Sequence, residues 1–445
     1  MIYDKASLVQ IPSGYKGGGT ENLYSVVPNT ADGDFDFTRA STATRVNKDG
    51  LIETIADDTP RLNYPLLNGV VQSNPTLLLE PSRTNRITDT EGWGGFSEVQ
   101  AVLSNNTSIT APDGSTLGIK TLTSSSTTQP RIEWRGIAVP ASATTYVWSV
   151  FVKKGTTRYV ALSHFSDDTQ WAVFDLDNGV IQDEAGSDVP AKIENYGNGW
   201  YRISKGATIT TGQSTNYFKL TIATPSSPSV GVSGETVNIW GFQIEIGLYV
   251  SSFIPTTTVG SITTRSADDC IDAQADFNDA EGVLYVNAKI NDPDDADDND
   301  FSLGDGSFVS NSVEIAFRNP LGLVQTIVGK CAIDGSTLSL TNTTITDQSI
   351  KHDLYHKVAY QYKQADFKMF VNGFKIGTST YNDIFASGVL SRVSFEGNGT
   401  SSTKFRGETK ELMTFNSAMT DIELETLTSY RSFNSMAKEL LFTIE

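Results

Sequence analysis

The sequence predicts an all-β protein: tandem β-sandwiches of the jelly-roll kind after a small irregular N-terminal β region, closed by one short C-terminal helix. Three observations predict it. Only 19% of residues are charged, 10% are aromatic, and 37 glycines are scattered among many Ser, Thr and Asn residues, a mixture suited to short strands and frequent turns. Apolar residues alternate at period two in runs that stop at turn residues. A chain of 445 residues also exceeds one ordinary core and divides into several units.

Residues 1–82 are punctuated by Gly17-Gly18-Gly19, Asp32-Gly33-Asp34 and Asp49-Gly50, the last reading as a hairpin turn between Arg45-Val46 and Leu51-Ile52. Their apolar content is thin for a free domain, so stability must come from a partner chain or the next module, and the segment reads as an attachment or assembly region.

Residues 83–256 read as the first sandwich. In Thr145–Lys153 one face carries Tyr146, Trp148, Val150 and Val152 and is predicted to be core. Asp177-Asn178-Gly179 makes a tight turn after the run from Trp171, and further strands are expected at Trp200–Ile203, Asn216–Ile222 and Val237–Ile246. All six tryptophans lie between Trp93 and Trp240, an anchor set for this unit.

Residues 257–272 read as an extended linker, and 273–445 as a second sandwich with the helix at its end. Its strands are expected at Gly282–Ile290, Val313–Phe317, Lys357–Tyr362, Phe367–Val371 and Val389–Phe395, with a hairpin turn at Asn372-Gly373. Thr420-Asp421-Ile422-Glu423 is a capping box, followed by Leu424, Leu427 and Met436 at helical spacing.

The formal charge of -19 and pI near 4.6 repel nucleic acid, and no basic stripe offsets this. Cys270 and Cys331 lack any paired spacing, which argues for two buried thiols rather than a disulfide or zinc site. No basic, then apolar, leader opens the chain and no run approaches a membrane span, so neither classical secretion nor membrane insertion is expected.

Tyr355-His-Lys-Val-Ala-Tyr360, Phe370-Val-Asn-Gly373, Phe405-Arg-Gly407 and Leu412-Met-Thr-Phe-Asn416, with the capped helix, resemble a laminin-G or concanavalin A-like lectin domain over about 160 residues. Gly199-Trp-Tyr-Arg-Ile203 and the stretch Gly241-Phe-Gln-Ile-Glu-Ile to Phe253-Ile-Pro255 are similar to jelly-roll carbohydrate-binding modules. Phe37-Thr-Arg-Ala-Ser-Thr-Ala-Thr-Arg45, Gly50-Leu-Ile-Glu53, Pro60-Arg-Leu-Asn-Tyr64 and Leu77-Leu-Leu-Glu-Pro-Ser-Arg-Thr-Asn85 resemble a leader found on predicted tail-fibre and other virion proteins of bacteriophages. Together these resemblances imply a phage virion structural protein (tail fibre, head fibre, spike or decoration) at the particle surface, made in the host cytoplasm and released by lysis. They imply other virion proteins as partners through the N-terminal region, a homo-oligomer that by analogy is a trimer, and host-surface glycans as targets.

Sugar binding on a sandwich needs an exposed aromatic face and fixed polar groups beside it. Trp134, beside Arg131, Glu133 and Arg135, has that company, and so does Trp171, near His164 and Asp168; the alternative is that both tryptophans fill the core between sheets. Asn291–Asp300 holds six carboxylates, so calcium on Asp292, Asp294 and Asp295 is weighed against a solvated acidic loop.

No Glu-x-Asp-x-x-Glu run is present, none of His164, His352 and His356 sits in a catalytic motif, and Gly17-Gly18-Gly19 opens no phosphate loop, so no enzyme is expected. The readings left open beside it are a polysaccharide depolymerase with carboxylates from separate strands, a spacer that binds no glycan, and a secreted adhesin.

Overall fold

The computed structural model describes residues 2–12, 35–138, 140–164, 169–210, 216–256, 258–291, 299–318, 326–341, 354–397 and 403–430. Among them every strand pairing within the sheets is antiparallel, and the only α-helix is Asp421–Thr428.

The first sandwich has two six-stranded sheets. Sheet I runs Phe96–Val99, Arg131–Trp134, Phe218–Ile222, Tyr159–His164, Trp171–Asp175, Val180–Ala185. Sheet II runs Ala101–Asn105, Lys120–Ser124, Thr236–Ile246, Thr144–Lys154, Trp200–Ile209, Val189–Asn195. Period-two alternation fixes what lies between them: Tyr146, Trp148, Val150 and Val152 face Leu162, Phe174 and Leu220 in one core, as expected. The other side of sheet II is also buried, because Ile52 and Phe253 cover Phe151, Trp200 and Trp240.

In the second sandwich, sheet III runs Phe374–Ser379, Phe367–Val371, His356–Lys363, Glu281–Ile290, Gly407–Phe415, Thr76–Leu79, Arg61–Asn63. Sheet IV runs Ala273–Gln274, Arg392–Ser394, Asn299–Gly304, Ser312–Arg318, Thr326–Ile333, Ser336–Thr341. The turn between Phe367–Val371 and Phe374–Ser379 has Asn372 at φ +50° and Gly373 at φ +86°, the left-handed pair that a two-residue hairpin requires. Thr420 caps the helix with Glu423 completing the reciprocal bond, and Leu424 and Leu427 bury against the outer face of sheet III. Met436 lies outside the described residues, as do Gly17–Gly19 and Asp32–Asp34.

The N-terminal region expected over 1–82 does not stand apart. Ala6–Gln10 and Thr76–Leu79 lie end to end along one edge of Gly407–Phe415, and Leu8, Leu77 and Leu79 are in the core of the second sandwich. An open edge on the final strand would otherwise invite foreign pairing, and these two short strands cover it. The 257–272 stretch is hydrogen-bonded too: Thr263–Arg265 pairs with Arg83–Asn85, and Asp269–Ile271 with Asp36–Thr38. Thin apolar content is offset here by long-range pairing within the chain.

A buried charge cluster joins all these parts. Arg39, Arg61 and Arg265 are at most 1% exposed. Arg61 Nη1 donates to Glu80 Oε2 at 2.6 Å while Nη2 pairs with Asp268, Arg39 Nη1 donates to Asp268 Oδ1 at 3.1 Å, and Arg265 Nη1 lies 2.8 Å from Glu80 Oε2. Ser252, at the end of the first sandwich, donates its N and Oγ to Glu80 at 2.8 and 2.7 Å. Arg406 of the second sandwich donates to the Asp268 carbonyl. Burial alone would raise the Glu80 carboxyl, but Arg265, Arg61 and the Ser252 hydrogen bonds outweigh it and hold the group far below the usual carboxylate range.

Removing one partner leaves an uncompensated buried charge. Glu80→Gln and Asp268→Asn should each destabilise the protein by about 3–5 kcal/mol in urea denaturation. The sign of the pH effect follows from the depressed Glu80 group: its stabilisation is complete above the unfolded value near 4.3 and is lost as pH falls below it. Stability measured from pH 7 down to 3 should therefore decline more steeply in the parent than in Glu80→Gln.

Candidate functional site

Strand parity separates the residues that the sequence placed together. Ile132 and Trp134 point inward, and Trp134 is only 4% exposed, 5.1 Å from the Phe96 ring. Its ring fills the space beside two glycines: a Cβ on Gly95 or Gly136 would come within 2.7 Å of it. His164 is likewise interior, its ring 5.1 Å from that of Phe218 and its Nε2 hydrogen-bonded to Asn216 Oδ1 at 2.5 Å. Neither residue is available as a surface platform, which corrects the expectation for both. The alternation of Arg131, Glu133 and Arg135 with Ile132 and Trp134 already carried that signal.

Trp171 differs from the other five tryptophans, which are all buried. It sits on the outer face of sheet I, partly exposed, against Ala161, Val173 and Ala223. Its cross-strand neighbours follow from the register: Trp171 faces Ser163, Ser163 faces Lys219, and Lys219 faces Glu133. With strands about 4.8 Å apart, this row spans about 14 Å from tryptophan to carboxylate. Ser163, Lys219 and Glu133 were not expected as a set, because strand order brings them together rather than sequence spacing.

Glu133 closes the row as a fixed acceptor. Arg131 Nε donates to its Oε2 at 2.9 Å, and Arg135 pairs with its Oε1. Burial would raise the carboxyl, yet the hydrogen bonds from Arg131 and Arg135 hold it below its ordinary value. Arg135 keeps 45% of its side chain exposed and stacks 4.4 Å from the centroid of Tyr217. Ser163, Lys219 and Glu133 are themselves buried, so what the row presents to solvent is the partly exposed Trp171 and the Arg135 guanidinium held by Glu133.

Among the described residues no group of three or more His, Cys, Asp or Glu side chains is placed to hold a metal ion. Asp292, Asp294 and Asp295 lie outside those residues, as do Asp168 and His352. Cys270 and Cys331 are buried and are not joined in a disulfide. No helix of the described residues is long and apolar enough to cross a membrane.

No protein-family model matches the sequence, and no curated protein matches it. Among solved structures, the chain is similar to the Ruminococcus gnavus IT-sialidase CBM40 bound to α2,3 sialyllactose, at 17% identity over 34% of this chain and 84% of that one, with a TM-score of 0.28. Domain 4 of a Geobacillus stearothermophilus GH43 extracellular arabinanase, in complex with arabinotriose, aligns at 13% identity over 37% of this chain and 77% of that one, TM-score 0.27. Domains LG4-5 of the mouse laminin α1 chain align at 8% identity over 65% of this chain and 86% of that one, TM-score 0.24. Alignments at these scores leave the ligand to be argued from the site itself.

Because every tryptophan lies in the first sandwich, intrinsic fluorescence reports its unfolding. Trp134→Ala should cost about 3–5 kcal/mol by urea titration, whereas Trp171→Ala should cost about 1 kcal/mol or less. Equal losses would mean that Trp171 is a core residue.

Proposed function

We propose that the chain is a non-catalytic structural protein of a phage particle that displays a glycan-contacting surface on the outer face of sheet I. The observation that carries the glycan reading is Trp171, the one tryptophan left partly exposed, in a cross-strand row with Lys219 and the Glu133–Arg131–Arg135 cluster. Trp171 stacks on the apolar face of a sugar ring while Arg135, half-exposed and held by the buried Glu133, meets its hydroxyl or acidic groups. Single-site binding of this kind is weak, and many copies on a particle raise it through effective concentration. The particle reading is supported by the leader-like segments from Phe37 to Asn85; in it, virion proteins and further copies of this chain are the partners. Calcium held by Asp292, Asp294 and Asp295 belongs to the same proposal.

Glycan-array and host-cell binding by the full chain tests it, with and without calcium. Saturable binding should fall at least about tenfold in Trp171→Ala and in Arg135→Ala, with unchanged circular dichroism. Absence of binding in every condition would leave a spacer or decoration protein. Mass spectrometry of purified virions tests the particle reading: a chain missing from them ends it.

A further inference from the structure

A cleft of about 890 Å³ lies where the N-terminal region and both sandwiches meet, and none of Trp171, Lys219, Glu133 and Arg135 lines it. One wall is the end of sheet II, with Lys192, Glu194 and Asn195 on its last strand and Tyr201 on the next. The facing wall is Asn63 to Asn68, including Tyr64, and Lys289 and Glu408 of the second sandwich close the far end. Glu80 and Ser252, both held by the buried charge cluster, form part of its floor.

Its shape is held by a close backbone contact. Gly69 (φ +79°) and Gly197 (φ +76°) let the hairpin Leu66–Val71 touch the loop after Val189–Asn195. A Cβ on Gly69 would strike the Asn195 side chain, and one on Gly197 would come within 2.9 Å of the Gly69 carbonyl oxygen. The two walls therefore meet at one end, which leaves a bounded channel rather than an open surface.

We infer that this cleft is a second ligand site and that it takes an extended sugar chain. Its volume is at the upper end of the roughly 300–1,000 Å³ of ligand pockets, and junctions between units are where such pockets concentrate. Tyr64 and Tyr201 are partly exposed, and the polar groups around them, Asn63, Lys192, Glu194 and Asn195, supply donors and acceptors in both directions, as hydroxyl-rich rings require. Strand addition by a peptide fits less well: the sheet II edge presents the exposed charges of Lys192 and Glu194, and the Ala191 N–H is already bonded to Glu184 Oε2 at 3.0 Å. Nucleic acid is disfavoured by the formal charge of -19 on the chain as a whole. The inference shares only its ligand class with the proposal for sheet I and uses none of the same residues.

Calorimetric titration of the full chain with neutral and carboxylate-bearing oligosaccharides tests the site. Tyr64→Ala and the double variant Lys192→Ala/Glu194→Ala should each weaken one binding event at least about tenfold and leave a Trp171-dependent event intact. Tyr64→Phe, which keeps the ring, should retain it and so controls for misfolding. Binding lost in the cleft variants but not in Trp171→Ala would support the cleft while ending the sheet I reading. Binding that depends wholly on Trp171, binding of extended peptides in place of sugars, or no binding at all would overturn the inference.

Discussion

Glu80 and Asp268 lie out of water between Arg39, Arg61 and Arg265, and where these residues come from explains why the chain forms one body. Arg39, Arg61 and Glu80 belong to the N-terminal region, Ser252 to the end of the first sandwich, Arg265 and Asp268 to the segment between sandwiches, and Arg406 to the second. Removing such charges from water costs several kcal/mol per ion, recovered only when every partner is in place. Two apolar cores would each hold over a range of mutual orientations; the ion cluster accepts one. It sets the angle between the sandwiches, and so the walls of the cleft between them.

The two sheets of the first sandwich have different outer surfaces for the same reason. Sheet II turns Trp200 and Trp240 toward the N-terminal hairpin, which buries them with Ile52 and Phe253. Sheet I keeps Trp171 partly exposed beside polar groups already immobilised by their own pairing. The tryptophans are thus divided by destination: five are buried within or between units, and Trp171 remains partly exposed. Preorganisation lowers the ordering cost that would otherwise oppose a weak sugar contact.

The architecture was legible because its signals are local. Alternation in Thr145–Lys153, the Asn372-Gly373 turn and the Thr420–Glu423 box all depend on residues within a few positions of each other. Trp171 and Arg135 were legible as surface candidates for the same reason. Trp134 and His164 were misplaced because nearness in sequence was weighed above parity, and adjacent residues on a strand point to opposite faces. Lys219 and Ser163 join the site only through strand order. The N-terminal motif is the instructive case. Thin apolar content over 1–82 reads as a need for a partner, yet Arg61 meets Asp268 across 207 positions of the same chain, a distance no spacing rule reaches.

Pairing of Ala6–Gln10 and Thr76–Leu79 with Gly407–Phe415 also sets a schedule. At about 5–20 residues per second, a ribosome needs roughly 20–80 s to travel from Gln10 to Gly407. The first sandwich, whose sheets lie within 96–246, is complete in sequence by then, whereas Ala6–Gln10 gains its partner strand only at the end of that interval. A chain that stops before Gly407 lacks the strand that Ala6–Gln10 pairs with, while Thr76–Leu79 keeps Arg61–Asn63 as its other neighbour. The edge strand made first and the strand made about 400 residues later therefore close this sheet together.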